Sequence, residues 1–325
     1  MKENVMREHY IEKFSRVDNF LLNPSLPYSL NIELNNSCNQ KCVFCAFHGK
    51  YAQTCLKPGI LEFEFVKQLL DQAMEKGIGK KELGFYLAGE PFLYSKLADV
   101  ISYAKKLGFP YVFLTTNGVF AKPDKIKEVV DAGLDSIRFS VNASDKNMYK
   151  ELHGTDDFNV VLENIKFLDK YKKDSGSNIA ISLSCVLTKK TLGIQNEIKN
   201  IFSEYVDDIL FAPVDLSRFE NEHILKSEYG IEEYKSKEID HSIICPVLFN
   251  NMYVNALGQI VPCCVAYDKD VYFADLYKDD DLTKAWYSKG YTEYRKIFLE
   301  GNSDSGTICE NCFYRMYGVE GFVMD

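Results

Sequence analysis

From residue 29 onward the chain repeats one rhythm, a short apolar strand followed by an amphipathic helix. The stretch Ser29 to Leu34 alternates apolar and polar residues as a strand does. Strand-like runs recur at 83–87, 111–114, 136–141, 179–187 and 208–211. Between them lie helical stretches at 62–76, 97–107, 124–132, 144–172 and 192–202. The first of these carries Phe65, Val66, Leu69, Leu70 and Ala73 on one face. Strands alternating with helices predict a parallel sheet with right-handed crossovers. Six such strands fall short of the eight that close a full α/β barrel.

The rhythm stops after residue 215. The stretch 216–242 is polar and acidic and reads as a linker with room for a short helix. Residues 243–325 have short strands, turns, clustered cysteines and the only tryptophan, Trp286. Here 251–255 and 259–261 form the arms of a predicted hairpin turning at Leu257-Gly258. At the other end, 3–20 reads as a helix stopped by Pro24 and Pro27. The expected division is therefore a helical lead-in at 1–27, a barrel at 28–215, a linker at 216–242 and a module at 243–325.

A net charge of −9 without a basic stripe argues against a nucleic-acid partner. The charged N-terminus lacks the apolar segment of a signal peptide, and no apolar run approaches a membrane span. A cytoplasmic location is expected, with no membrane partner. In a reducing compartment the ten cysteines are better suited to be ligands or thiols than disulfides.

The first strand runs into NSCNQKCVFCAFHGK, where Cys38, Cys42 and Cys45 form a C-x3-C-x2-C pattern. Three thiols in one loop can hold a metal, stay unpaired or coincide by chance. A structural zinc normally takes four protein ligands. Iron–sulfur clusters are also held by thiolates, and three on a four-iron cluster leave one iron open. A second set comprises Cys245, Cys263, Cys309 and Cys312, the last two as a C-x2-C pair. Four thiolates from a hairpin and a distant pair suit zinc as well as a cluster.

The first loop resembles the cluster loop of the radical S-adenosylmethionine (radical SAM) enzymes, and further motifs follow in that family's order. Ala88-Gly89-Glu90-Pro91 resembles the family's Gly-Gly-Glu-Pro segment, with alanine for the first glycine. Thr116-Asn117-Gly118 resembles its turn after the third strand, and Tyr149-x3-His153-Gly154 a scaffold motif. The resemblance implies a six-unit partial (β/α)6 TIM-like barrel. It also implies a [4Fe-4S] cluster on Cys38, Cys42 and Cys45, with S-adenosylmethionine on the open iron. Phe44 would lie against the adenine, and Gly89 and Glu90 would hold the amino group. Asn117, Ser140, Asn142 and Ser182 would line the nucleotide site. His153 is expected to be structural, and His48 is either a proton donor or a loop residue.

The second cysteine set resembles the SPASM/twitch auxiliary module of the same family, in its shorter form. That implies one auxiliary [4Fe-4S] cluster on Cys245, Cys263, Cys309 and Cys312, with Cys264 as an alternative to Cys263. Such a cluster would accept an electron or hold the module folded.

The favoured reaction is an alcohol oxidation on a small polar molecule such as a sugar or aminocyclitol, with Asp215 and Arg218 as substrate contacts. Peptide modification is the first alternative, although the short N-terminal segment leaves little room for a leader-binding domain. Radical epimerisation, with Cys55, Cys185 or Cys264 donating hydrogen, is another. A metal-stabilised binding protein is the reading outside enzymology. Flavodoxin or ferredoxin is the reductant the resemblance implies.

Overall fold

A computed structural model describes residues 20–52, 56–216, 219, 222–231, 240, 242–266, 271–301, 306–310 and 312. The lead-in helix expected at 3–20 lies almost wholly outside these residues, as do Arg218 and Cys55.

Six parallel strands form the barrel wall: β1 (Ser29–Ile32), β2 (Glu82–Phe85), β3 (Val112–Thr116), β4 (Ser136–Ser140), β5 (Ala180–Leu187) and β6 (Asp208–Pro213). Helices α1 (Phe63–Lys76), α2 (Leu97–Leu107), α3 (Pro123–Asp131), α4 (Lys146–His153), α5 (Phe158–Ser175) and α6 (Gln195–Phe202) connect them. One set of alternating strand residues packs into the helix layer: Leu30 and Ile32, Leu83 and Phe85, Ile137 and Phe139, Ile181 and Leu183. The other set, with period two, faces the concave side. The helical region expected at 144–172 is broken in two. Gly154 stops α4 with φ 75°, a left-handed conformation that glycine adopts without a Cβ penalty.

The sheet does not end at β1. A short helix, α7 (Glu222–Glu228), and a one-turn helix, α8 (Val247–Asn250), precede β7 (Asn251–Val254). β7 pairs with β1 in parallel, and β8 (Gln259–Val261) and β9 (Ala274–Asp275) follow in antiparallel order. The result is one nine-stranded sheet in the order β6-β5-β4-β3-β2-β1-β7-β8-β9. The expected hairpin is therefore present, but it extends the barrel sheet. Pairing with β7 covers the β1 edge, whose backbone groups would otherwise need water.

The C-terminal segment packs behind this hairpin through α9 (Leu282–Trp286) and α10 (Lys289–Leu299). Arg295 is fully buried there and donates to Leu248 O and Trp286 O at 2.9 and 3.0 Å. Its guanidinium lies 4.2 Å from the centre of the Trp286 ring, and the indole N–H donates to Ser25 O at 3.0 Å.

The segment expected as a linker is also packed where it is described. Val214, Leu216, Phe219, Leu225 and Tyr229 share a small apolar cluster with Val43, Ala46 and Leu152. No helix among the described residues is long and apolar enough to cross a membrane.

Candidate cluster and nucleotide site

The cysteine loop leaves the C-terminal end of β1 and is tied down on two sides. Lys41 N donates to His153 O and Val43 N to Leu152 O, which fastens the loop to the end of α4. Glu90 N donates to Ser37 O at 2.8 Å, and Asn35 Nδ2 to Glu90 O at 3.0 Å, which fastens it to the turn after β2. Each sulfur then meets a nitrogen. Asn117 Nδ2 lies 3.8 Å from Cys38 Sγ, His48 N 3.4 Å from Cys45 Sγ, and His153 Nδ1 3.5 Å from Cys42 Sγ.

Burial pushes the Cys38 thiol up to about 11, with Glu90 and Cys45 adding repulsion. Burial and then Cys45 and Cys38 push Cys42 well above its usual range. Three crowded thiolates need a cationic group to exist together. Among the described residues, no three His, Cys, Asp or Glu side chains converge on a single ion position. Three thiols on one loop, each able to bind a different iron, are a donor set that fits a polynuclear cluster.

The Ala88-Gly89-Glu90-Pro91 turn crosses directly above the loop. A Cβ on Gly89 would sit 2.0 Å from Asn35 O, so no other residue fits without moving backbone. The Glu90 carboxylate faces inward. It accepts from Thr116 Oγ1 at 2.6 Å, Asn117 N at 2.8 Å and Phe92 N at 3.1 Å. Its side chain thus braces the turn after β3, with Oε2 taking only one of these three hydrogen bonds and so keeping acceptor capacity.

A second carboxylate here was not expected from sequence. Glu33, just past β1, accepts from Ala88 N at 2.7 Å, Gly89 N at 3.1 Å and Ala256 N at 2.9 Å. It joins the turn after β2 to the tip of the C-terminal hairpin. Burial raises it to about 7 against those three donors. Its one sequence signal was a charged residue continuing the inward parity of Ser29 and Asn31. A cleft of about 510 Å3 opens beside it, lined in part by Asn36, Ala88, Asn255 and Gln259.

The remaining expected residues divide by role. Phe44 is half-buried, edge-on to His153 with ring centres 6.4 Å apart. Asn142 is buried; its Oδ1 accepts from Val186 N at 2.6 Å and its Nδ2 lies 3.2 Å from His153 Nε2. Ser140 is half-buried on the concave face, paired in register with Ser184. Ser182 is buried, and its hydroxyl makes no hydrogen bond among the described residues. Asp215 is half-buried just past β6, between Val214 and Leu216. Cys185 packs into the helix layer, so strand parity turns it away from the concave face and from any substrate held there.

The nine described cysteines of the chain form no disulfide. Burial, then Cys312 and Cys309, push the Cys245 thiol well above its usual range, so these three lie within electrostatic reach of one another. Cys245, Cys263 and Cys264 pack on one apolar cluster with Tyr253 and Tyr86. The two tyrosine hydroxyls are 3.3 Å apart. Tyr253 stands in register with Asn31 on the concave face, so this pair joins that face to the apolar cluster that holds Cys245, Cys263 and Cys264.

A family model for the radical SAM superfamily matches residues 32–184, and one for the SPASM iron–sulfur cluster-binding domain matches 245–313. A protein of Sulfurisphaera tokodaii named probable GTP 3',8-cyclase is 30% identical over 283 residues, covering 77% of this chain and 85% of that one. The chain belongs to the radical SAM superfamily and carries a SPASM domain. The family's cofactors are a [4Fe-4S] cluster with S-adenosylmethionine, joined in the SPASM domain by auxiliary iron–sulfur clusters. A Pyrococcus furiosus relative, the tungsten-containing aldehyde ferredoxin oxidoreductase cofactor-modifying protein, is 24% identical over 86% of both chains.

Two solved structures share the fold. BtrN in complex with AdoMet and 2-DOIA superposes with a TM-score of 0.58 at 16% identity, over 89% of this chain and 94% of that one. Streptococcus suis SuiB bound to its precursor peptide SuiA gives 0.65 at 18% identity, over 93% and 72%.

Proposed function

We propose that this radical SAM protein is an oxidoreductase that converts a secondary alcohol on a small polar molecule, of sugar or aminocyclitol type, to a carbonyl. The observation that carries the reading is the wall of the lumen. Tyr86, Phe113, Arg138, Ser140, Ser184 and Tyr253 share the concave face, by strand parity opposite the helix-packed residues. Hydroxyls, aromatic faces and one guanidinium suit a compact polyhydroxylated molecule.

Cys38, Cys42 and Cys45 would hold the first cluster. Backbone carbonyls of the 88–91 turn would meet the amino group of the nucleotide, with Phe44 near the adenine and Ser140 and Ser182 near its polar edge. Cys245, Cys309, Cys312 and either Cys263 or Cys264 would hold an auxiliary cluster. When bound, these groups supply a 5′-deoxyadenosyl radical that takes a hydrogen atom and an acceptor for the electron left behind. The substrate hydroxyl loses its proton, and loss of hydrogen atom, proton and electron together leaves the carbonyl. Asp215, between two residues that pack against the cluster loop, is the candidate to receive that proton. Half-buried Tyr86, backed by buried Tyr253, would line the substrate on the side of the auxiliary cysteines.

The name of the Sulfurisphaera relative raises a nucleoside triphosphate as substrate. A triphosphate needs several cations acting together. Among the described strand residues on the concave face, Arg138 is the cation present. The complex of SuiB with its precursor peptide supports a peptide as the second reading.

The test uses reconstituted protein, S-adenosylmethionine and a panel of aminocyclitols and amino sugars deuterated at the carbinol carbon. The proposal expects deuterium in the 5′-deoxyadenosine and a product lighter by one deuterium and one hydrogen. Deuterium transfer from a peptide panel alone would overturn it.

A further inference from the structure

Among the three sulfurs of the loop, Cys42 has the most elaborate surroundings, and they centre on His153. That imidazole is 1% exposed. It stacks flat on Tyr149, with ring centres 4.0 Å apart and planes 9° apart. The backbone N–H of Asn142 points at Nε2 from 3.2 Å. A backbone N–H can only donate, so Nε2 carries a lone pair and the ring proton sits on Nδ1. Nδ1 in turn lies 3.0 Å from Gln40 Oε1 and 3.5 Å from Cys42 Sγ. The Gln40 amide is oriented by its own nitrogen, which donates to Tyr149 OH at 2.6 Å. Its oxygen is thereby directed toward His153 and Cys42, 3.6 Å from the sulfur.

In the thiol form, Cys42 can donate its own proton to Gln40. As a thiolate ligand it has none, and the triangle of Cys42 Sγ, Gln40 Oε1 and His153 Nδ1 then contains one proton. Two acceptors compete for it. A hydrogen bond to a ligand sulfur stabilises the reduced, more negative cluster and raises its potential.

We propose that His153 is a positioning residue that sets the reduction potential of the first cluster, by dividing its Nδ1 proton between Cys42 Sγ and Gln40 Oε1. The inference rests on Cys42 being a cluster ligand. It assigns the Tyr-x3-His-Gly motif a redox role in addition to its packing one. It also assigns Gln40 the opposite effect, since its oxygen draws the proton away from sulfur.

The experiment is an EPR-monitored redox titration of the first cluster in the full chain, comparing wild type with His153→Leu, His153→Gln and Gln40→Leu. His153→Leu is expected to lower the midpoint potential and to remove an exchangeable-proton coupling seen by ENDOR. Gln40→Leu is expected to raise it and to strengthen that coupling. His153→Gln, whose amide can still donate, should recover part of the loss. A merely structural role predicts shifts of one sign in both positions, or none, and either result overturns the proposal. If His153→Leu takes up no cluster, the sign of the Gln40→Leu shift decides: upward supports the assignment, and unchanged or downward refutes it. Iron and sulfide analysis of the wild type separates the two layers. Absence of a cluster would refute the ligand reading of Cys42 itself, whereas a normal cluster indifferent to both substitutions would refute only this inference.

Discussion

At the scale of single residues the site is built largely from buried polar groups whose partners they cannot lose cheaply. Gly89 is the sharpest steric case. Gly89→Ala drives a Cβ into Asn35 O, 2.0 Å away, and the atoms it meets are backbone. Overpacking of this kind costs about 1–3 kcal/mol. The variant is expected to bind S-adenosylmethionine at least about tenfold more weakly, read by equilibrium dialysis; unchanged affinity would contradict the close approach. Glu33 is the sharpest electrostatic case. Burial raises its carboxyl from an ordinary 4.5 to about 7, so the folded chain holds that proton more tightly than the unfolded chain does. A raised acid favours the fold below the unfolded value and loses that contribution as pH climbs through the folded one. Unfolding free energy from urea melts should therefore fall between pH 4.5 and pH 7, by up to ~1.4 kcal/mol per unit. Glu33→Ala should flatten that slope, and an equally steep slope in the variant would assign the effect elsewhere.

At the scale of elements, most of the barrel was legible and its seam was not. Strands buried on one face by helices show the apolar alternation of Leu83 and Phe85 or Ile181 and Leu183 directly. Gly77 and Gly108 mark helix ends where a glycine would be expected, each with positive φ. Gly154 marked one too, inside a stretch that reads as a single helix from its apolar residues alone. The pairing of β1 with β7 was out of reach, because it joins Ser29 to Asn251 across the whole barrel and no local pattern encodes a partner. The same distance hid Glu33, whose third donor is Ala256. In the site, the cysteine loop and the 88–91 turn stood out through their resemblance to the family's motifs. The inward orientation of Glu90 was not, since it depends on the Thr116 hydroxyl and Asn117 backbone of a different strand. This continuity of sheet has a consequence for the second cysteine set. Cys309→Ala is expected to lose roughly half the iron and to lower the melting temperature, because the hairpin it anchors also covers the β1 edge. S-adenosylmethionine cleavage should persist while oxidised product disappears. Retention of product formation would reduce the auxiliary set to a fold-stabilising role.

At the scale of the whole molecule, one sheet carries both cysteine sets. Cys38, Cys42 and Cys45 follow β1, and Cys245 and Cys263 flank the β7–β8 hairpin that pairs with it. Glu33 ties the turn after β2 to the hairpin tip, and Tyr86 and Tyr253 pack in one cluster with Cys245, Cys263 and Cys264. Radical initiation at one cluster and removal of an electron at another would then share a single rigid wall. The most direct test is anaerobic reconstitution followed by reduction with S-adenosylmethionine present, measuring iron and 5′-deoxyadenosine in wild type and Cys42→Ala. The account predicts about eight iron atoms per wild-type chain and release of 5′-deoxyadenosine that is lost in Cys42→Ala. Stoichiometric zinc without nucleoside release, or undiminished cleavage by the variant, would contradict it.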